Sequence, residues 1–464
     1  MSKTGFTLCN AQCQGLAQAG AAYEATAHAD PTASFYKVPS NFSTSLAPGL
    51  LLRVEQATSM VNYSVPSGLT MSRILYTTKD LNGTTIPASA YILWPYQPLA
   101  LPAGKGYPLV AWAHGTSGQF GKCSPSNYHN LQYHFMAPFV LAMHGMVVVA
   151  PDYAGLGVDT LPSGQTISHP WLASPAHAND LAYAIAGARA AFPSVLKPKG
   201  PFVAMGHSQG GGAAWAFAER QVSKPVDGYL GTVAIAPITR IFSQYELALS
   251  NTSLPFAPLT LALSATLVAS VTAVYPAYNF SGMTDISRDR WLNVLKPIQG
   301  CFPTSVLVFS DLNLTQLVQP GWEKAETVQQ FANRTAIGGA KFKGPMLVIG
   351  GGLDTVVSVD GIKTVVNATC SAIKGPGPKG VATESLEMVT YETANHFPQI
   401  QASQSKWLEW VKDRFMGAAA PKAGCTSSSI AGLRSEFTFQ TPLPNFLEDW
   451  VDPNLQTEGW KYFL

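Results

Sequence analysis

Few side chains in this 464-residue sequence carry a charge. Aspartate, glutamate, lysine and arginine together make up 12% of the residues, and the formal net charge is +2. The sequence has no cluster of lysine or arginine, and so lacks the electrostatic pattern of proteins that bind nucleic acid or an anionic membrane. We therefore expect a neutral partner and no nucleic acid.

Metal-binding patterns are also missing, because the six cysteines contain no Cys-x-x-Cys pair. We expect no metal ion and no organic cofactor. An even number of cysteines is typical of an oxidising compartment, where disulfides form and persist. Six cysteines allow about fifteen pairings, which the sequence alone does not distinguish; the set we choose is Cys9 with Cys13, Cys123 with Cys301, and Cys370 with Cys425.

The first 20 residues lack a continuous apolar core, so as they stand they make a poor signal peptide. Residues 254–278 are uncharged, but their prolines and the flanking glycosylation patterns at Asn251 and Asn279 argue against a membrane span. We predict a buried or lipid-facing helix of a soluble protein. Its apolar face is expected to comprise Leu261, Leu263, Leu267 and Val271.

Asparagine usage indicates the compartment. Eight of the sixteen asparagines are followed two places on by serine or threonine without an intervening proline, which is the acceptor pattern for N-glycosylation. Chance gives only about two such sites, so the excess favours a glycosylated, secreted eukaryotic protein. The candidate acceptors are Asn41, Asn62, Asn82, Asn251, Asn279, Asn313, Asn333 and Asn367.

Apolar runs predict strands that alternate with helices. The runs MSRILYTTKD and TIPASAYILWP are joined through LNGT, and this Asn-Gly predicts a β-hairpin. The later alternation, as in YPLVAWAHG and GPFVAMGHS, indicates a mostly parallel sheet of the α/β class. The expected parts are an N-terminal extension (1–50), a core (51–236 and 336–424), an inserted helical cap or lid (237–335) and a C-terminal tail packed on the surface (425–464).

The stretch GHSQG, residues 206–210, lies between a predicted strand and a predicted helix and matches Gly-x-Ser-x-Gly. In this motif the serine occupies a strained turn that exposes its hydroxyl, and glycines flank it because side chains there would clash. A serine hydroxyl is a weak nucleophile at neutral pH, so it needs a histidine base and an acid that orients the histidine. Ser208 is therefore the candidate nucleophile.

The candidate base and acid follow from the chain order serine, acid, histidine that this motif requires. Of the nine histidines, only His396 lies after His207, and it follows a strand-like run. Two aspartates follow apolar runs, Asp354 in LVIGGGLDTVV and Asp311 in VLVFSDLNLT. Because Asp311 falls in the expected cap, we predict Asp354 as the acid.

Acyl transfer also needs hydrogen-bond donors for the developing oxyanion. One is expected to be the backbone N–H of Gln209, directly after the nucleophile. The second is assigned to Thr116 in the loop HGTSG, where the hydroxyl adds a further donor. His207 is expected to point away from Ser208 and to form structural hydrogen bonds.

With these motifs the sequence resembles the fungal secretory lipases of the α/β-hydrolase fold. The resemblance rests on FYKVPSNF, LLRVEQAT, AWAHGTSGQFGKCSPS, PDYAGLG, GHSQGG, GGGLDTVV and ANHF. It implies a Ser/Asp/His esterase or lipase with a helical lid, matched here to residues 237–335. His207 and Gln209 differ from the tyrosine and glycine of the family's type member, so acyl-chain preference does not transfer.

The sequence thus predicts a secreted serine carboxylic-ester hydrolase that forms an acyl-enzyme on Ser208. Its expected partner is a small-molecule or lipid ester, with transient contact to a lipid interface through the cap. The alternatives are an acyltransferase or a serine peptidase with the same triad, or a catalytically silent binding protein on a hydrolase fold. An intact triad weighs against the silent protein.

Overall fold

The computed structural model describes residues 8–30, 33–102, 105–374, 384–419 and 421–432. Its strands are β1 (Leu51–Glu55), β2 (Leu69–Lys79), β3 (Thr85–Pro95), β4 (Leu109–Ala113), β5 (Val147–Pro151), β6 (Phe202–His207), β7 (Tyr229–Ile235), β8 (Met346–Gly351), β9 (Ser385–Tyr391) and β10 (Gly424–Ile430). They form one sheet in the order β1-β2-β3-β5-β4-β6-β7-β8-β9-β10. Along this order, the pairs β1/β2, β2/β3 and β3/β5 are antiparallel. Every later pair, from β5/β4 to β9/β10, is parallel. The mostly parallel α/β sheet is therefore confirmed.

The helices of the described chain cover both faces of the sheet and fill the segment between β7 and β8. They are α1 (Ala11–Ala27), α2 (Pro138–Met143), α3 (Ser174–Ala191), α4 (Gln209–Arg220), α5 (Ile241–Ser250), α6 (Ala257–Ala262), α7 (Ser264–Val274), α8 (Asp285–Asp289), α9 (Lys296–Ile298), α10 (Phe302–Phe309), α11 (Leu314–Leu317), α12 (Glu326–Thr335), α13 (Val359–Ala372), α14 (Pro398–Ala402) and α15 (Gln404–Met416). A π-helical segment, Arg290–Leu295, joins α8 to α9.

Alternate residues of the central strands face opposite sides of the sheet. In β6, Phe202 and Ala204 pack in one core cluster with residues of α3, α4 and α13. Val203 and Met205 pack in the other cluster with residues of α2, α14 and α15. Because helices cover both faces, β6 is buried along its whole length, which explains its continuous apolar run.

The hairpin predicted at Asn82 and Gly83 is confirmed. Strands β2 and β3 pair antiparallel, and Lys79 lies opposite Thr85 at the turn. Gly83 has a φ of 86°, a left-handed conformation that glycine adopts without a steric penalty.

The C-terminal boundary predicted at residue 425 falls inside a strand. Residues 424–430 form β10, which pairs in parallel with β9 at the edge of the sheet. The remainder of the predicted tail, from residue 433 onward, lies outside the described residues. The core therefore extends a few residues further than the sequence suggested.

The uncharged run 254–278 contains two α-helices, α6 and α7, and a 3-10 turn (Pro276–Tyr278), so the single helix predicted for it is wrong. Leu263 separates α6 from α7 and is the C-terminal cap of the first helix. Leu267 and Val271 belong to the main core cluster, and Leu261 and Leu263 pack against that same cluster. Of the helices that the structure describes, none has the combination of length and apolarity needed to cross a membrane.

Three disulfides join the cysteines in the pairs expected from the sequence. They are Cys9–Cys13, Cys123–Cys301 and Cys370–Cys425. The second connects the loop after β4 with the start of α10, and the third connects α13 with β10.

A buried carboxyl on α1 makes stability depend on pH. Glu24 accepts hydrogen bonds from the backbone N–H groups of Cys301 and Thr304, at 2.8 and 3.3 Å, and from the Thr304 hydroxyl. Burial raises the pKa of Glu24 from 4.5 to about 7, although these hydrogen bonds act to lower it. Since the folded-state pKa lies above the unfolded one, the contribution of Glu24 to stability is complete below pH 4.5 and is lost as the pH rises through about 7.

We expect Glu24→Gln to raise the Tm at pH 8 by about 2 °C or more, because the amide carries no charge into the buried site. At pH 5 the variant should differ much less from the native protein. Thermal unfolding at both pH values measures the effect, with the exposed Glu246→Gln as the control. A lower Tm for Glu24→Gln at both pH values would contradict the prediction.

Candidate active site

The predicted site residues lie at the carboxyl ends of neighbouring parallel strands. Thr116 follows β4, Ser208 follows β6, Asp354 follows β8 and His396 follows β9. Parallel strands place these ends at the same edge of the sheet, which is where α/β proteins build their sites. Thr116, Ser208 and His396 line one cavity of about 250 Å³.

Ser208 occupies the turn between β6 and α4 with φ 59° and ψ −120°. A positive φ is sterically costly for serine and is kept only where the surroundings impose it. A Cβ on Gly206 would overlap the carbonyl oxygen of Gly210, and a Cβ on Gly210 would overlap that of Ala113. The two glycines of the motif are therefore required by backbone packing.

His396 and Asp354 are joined by a hydrogen bond of 2.9 Å between Nδ1 and Oδ2. The other carboxylate oxygen of Asp354 accepts from the backbone N–H groups of Val356 and Val357, both at 2.8 Å. Burial acts to raise the pKa of Asp354, but the charge and hydrogen bond of His396 and the two backbone donors outweigh it and lower that pKa. An ionised Asp354 holds the proton on Nδ1 of His396 and leaves Nε2 as a base.

Asp311, the second acid considered from the sequence, is bound elsewhere. Arg290 donates to both of its carboxylate oxygens, one of them at 3.0 Å. The hydrogen bond from Arg290 lowers the pKa of Asp311. This ion pair connects the π-helical segment to the chain that follows α10. Because Asp311 is bound to Arg290 and Asp354 is bound to His396, the geometry favours Asp354 as the partner of the histidine.

Gln399 adds a third support to this pair. Its Nε2 donates to Oδ2 of Asp354 at 2.8 Å and to the carbonyl oxygen of His396 at 2.9 Å. Gln399 is buried and lies only three residues after His396. This short separation in sequence could have identified it as a neighbour of the candidate base. It restrains the carboxylate and the histidine backbone together.

His207 has the structural hydrogen bonds expected of it. Its Nε2 lies 2.9 Å from the carbonyl oxygen of His396, which only accepts, so Nε2 carries the proton. Its Nδ1 accepts from the hydroxyl of Tyr133 at 2.8 Å. Burial, with the charge of His396 as a smaller cause, holds the pKa of His207 well below its usual value. The neutral ring thus fixes the backbone of His396.

Of the two predicted oxyanion donors, Thr116 lines the same cavity as Ser208, and Gln209 follows Ser208 in the chain. The hydroxyl oxygen of Thr116 accepts a hydrogen bond of 2.8 Å from the indole of Trp171, which leaves the Thr116 proton free to donate. Gln209 begins α4, and the first backbone N–H of a helix has no acceptor within that helix. Trp171 also lines the cavity, and no local pattern in the sequence marked it.

Apolar side chains form most of the cavity wall. The segment between β7 and β8 supplies Ile238, Ile241, Leu259, Leu263, Leu267, Phe302 and Val306. Gln244 connects this segment to the loop that carries Asp354, because its Nε2 donates to the carbonyl oxygen of Val356 at 2.8 Å. Among the described residues, no three or more His, Cys, Asp or Glu side chains are arranged to hold a metal ion.

A family model described as the alpha/beta hydrolase family matches residues 110–405. The chain belongs to the alpha/beta hydrolase family. The matched segment contains Ser208, Asp354 and His396. A search of curated proteins found no match.

Solved structures of this fold are similar over most of the chain. Candida antarctica lipase A in its closed state has a TM-score of 0.68 and 15% identity, covering 86% of this chain and 89% of that chain. The rice cell wall degrading esterase LipA from Xanthomonas oryzae has a TM-score of 0.56 and 17% identity, covering 79% of this chain and 98% of that chain. At these identities the likeness shows the fold, so the α/β-hydrolase fold predicted from the motifs is confirmed.

Proposed function

We propose that this alpha/beta hydrolase is a serine carboxylic-ester hydrolase of the lipase or esterase type. The observation that carries the proposal is the apolar cavity in which Ser208, at a strained turn, and His396, bound to the buried Asp354, lie together. The two structural neighbours named above are a lipase and an esterase, which supports an ester as the substrate.

In the proposed reaction, Oγ of Ser208 attacks the ester carbonyl carbon while Nε2 of His396 takes the hydroxyl proton. Asp354 keeps the imidazole oriented and stabilises its positive charge. The backbone N–H of Gln209 and the donors of Thr116 bind the oxyanion, and each such donor lowers the barrier by about 3 kcal/mol. His396 then protonates the leaving alcohol, and a water molecule, deprotonated by His396, hydrolyses the acyl-enzyme.

We further propose that residues 237–335 form a cap over the cavity and that the protein is secreted and glycosylated. The cavity-lining residues of α6, α7 and α10 support the cap. Three disulfides and the surface position of all eight candidate asparagines support secretion. Enzymatic removal of N-glycans from protein made in a eukaryotic host should lower its mass, whereas an unchanged mass would contradict glycosylation.

A substrate panel tests the proposed activity. It comprises p-nitrophenyl esters from acetate to palmitate, an emulsified triglyceride and a peptide p-nitroanilide, each with and without added alcohol. We expect free acid from the esters and no peptide cleavage. Acid from the triglyceride would assign a lipase, cleavage of the anilide alone would assign a peptidase, and acyl transfer to the alcohol in excess of hydrolysis would assign an acyltransferase.

Leu267 allows a test of whether the cavity holds the acyl chain. It is buried on α7 and lines the cavity, whereas Val271, buried one turn further along the same helix, is not among the cavity-lining residues. We expect Leu267→Asn to lower kcat/KM for palmitate at least about tenfold more than for acetate, because a polar amide beside the chain costs about 1–3 kcal/mol.

Val271→Thr is the matched control, since it also places a polar group in α7 without changing the side-chain volume much. We expect this variant to lower stability and to leave the ratio of palmitate to acetate activity unchanged. An equal loss across chain lengths in Leu267→Asn would show that Leu267 contributes only to packing.

A further inference from the structure

The first turn of α4 is weakly held by its own sequence. Gln209 is followed by three glycines, residues 210–212, and a Cβ on Gly211 would overlap the carbonyl oxygen of Ile235. Each glycine disfavours a helix by about 1 kcal/mol relative to alanine. Within the described chain, Ser208 makes no capping hydrogen bond to α4. The turn that presents the proposed oxyanion donor therefore needs contacts with residues outside α4 to hold it in place.

The side chain of Gln209 supplies a restraint. Its Nε2 lies 3.1 Å from Nε2 of His169 and 3.1 Å from Nε2 of His177. All three residues are buried, and none is more than 1% exposed. A carboxamide nitrogen carries two hydrogens, so both are used when each imidazole accepts one.

The surroundings of the two histidines make them acceptors. Nδ1 of His169 lies 3.1 Å from the carbonyl oxygen of Ala154, so the proton is on Nδ1 and the lone pair of Nε2 faces Gln209. Nδ1 of His177 makes no hydrogen bond within the described residues, but it lies 3.8 Å from Oδ2 of Asp180, and a carboxylate at that distance favours a proton on Nδ1. Burial lowers the pKa of His177 to about 3 and that of His169 well below its usual value, so both rings are neutral near pH 7.

Stacking fixes the position of both rings. The ring of Tyr153 lies 4.4 Å from that of His177 and 5.9 Å from that of His169, centroid to centroid. The two imidazoles lie 5.1 Å apart with an interplanar angle of 13°. Rings held in such a stack cannot swing away, so they can fix the position of a group bound between them.

We propose that His169 and His177 are positioning residues that hold the backbone N–H of Gln209 toward the oxyanion by anchoring the Gln209 side chain. The inference rests on the proposed function, because it assigns these histidines a part in acyl transfer at Ser208. It also explains why a glutamine stands directly after the nucleophile. A side chain is needed there to restrain a turn that packing has restricted to glycine.

Two substitutions at each histidine separate hydrogen bonding from packing. His177→Phe keeps a stacked ring but removes the acceptor, whereas His177→Gln removes the ring but places an oxygen near the position of Nε2. We expect His177→Phe to lower kcat about 10- to 100-fold with KM changed less than about threefold, and His177→Gln to recover most of the loss. The same pair at His169 should behave alike. A purely structural role predicts the opposite order, with phenylalanine better tolerated than glutamine.

Phe217→Leu is the matched control, because Phe217 is buried on α4 two turns from Gln209 and packs against Phe202 and Tyr229. It should lower the Tm without a change in kcat of more than about twofold. Gln209→Leu should lower kcat as much as His177→Phe, and the double variant should be no worse than either alone.

A trifluoromethyl ketone, which adds to a serine as an oxyanion, gives an independent readout. Its inhibition constant should rise in His177→Phe by the same factor by which kcat/KM falls, and should stay unchanged in Phe217→Leu. If the native protein hydrolyses esters but His177→Phe matches Phe217→Leu in kcat and inhibition, the positioning role is wrong and the function stands. If the native protein neither hydrolyses esters nor binds the ketone, the proposed function itself fails.

Discussion

Ser208→Ala should abolish ester hydrolysis, leaving less than about 1% of the native kcat, while the Tm stays within a few degrees. The hydroxyl is the proposed nucleophile, and it stands at a turn beside the cavity with no part in the apolar core. Alanine keeps the Cβ that the turn already accommodates. Titration of released acid gives kcat, and calorimetry on the same preparation gives the Tm.

The combination of Ser208→Ala with His396→Ala should be little worse than either single variant, because the members of a triad act as a unit. Residual activity above about 1% in Ser208→Ala would place the nucleophile elsewhere. Multiplicative losses in the double variant would show that the two residues act in separate steps.

Asp354→Asn should lower kcat by about four orders of magnitude, because an amide at this position favours the wrong tautomer of His396. In the native protein, one carboxylate oxygen of Asp354 accepts the Nδ1–H of His396, and the other accepts two backbone N–H groups. An amide oxygen can still serve the backbone donors, so the fold should be retained. Measurement of kcat with a p-nitrophenyl ester, together with the Tm, separates the two effects.

Asp311→Asn is the matched control for this acid. Because Asp311 is paired with Arg290 and not with the histidine, its loss should change kcat less than about threefold. A large loss in Asp311→Asn with near-native activity in Asp354→Asn would overturn the assignment of the acid.

The sequence could predict those residues of the candidate site that lie in a short motif or directly after a recognisable strand. Ser208 lies in a five-residue motif whose glycines have a steric reason, and His396 was the one histidine in the required order. Both follow buried strands, and apolar runs indicate such strands well because both faces of the sheet are covered. The pairing of Asp354 with His396 then follows from parallel strands ending at one edge.

Other features depend on contacts between distant parts of the chain. Strand β10, with the sequence Gly-Cys-Thr-Ser-Ser-Ser-Ile, is exposed and has no apolar alternation, so it could be found only from its pairing with β9. His177 reaches Gln209 from α3, and nothing near either motif indicates that contact. The break at Leu263 was missed because the apolar residues continue through it at helical spacing.

The central claim, that Ser208 is the nucleophile of an active hydrolase, is tested most directly by covalent labelling. The native protein is treated with a p-nitrophenyl alkylphosphonate, and the intact mass and its peptides are measured by mass spectrometry. We predict a single phosphonyl group on the peptide that contains Ser208, much slower labelling of His396→Ala, and none of Ser208→Ala. A native protein that stays unlabelled, or a label on any other residue, would contradict the claim and favour a silent binding protein or a different nucleophile.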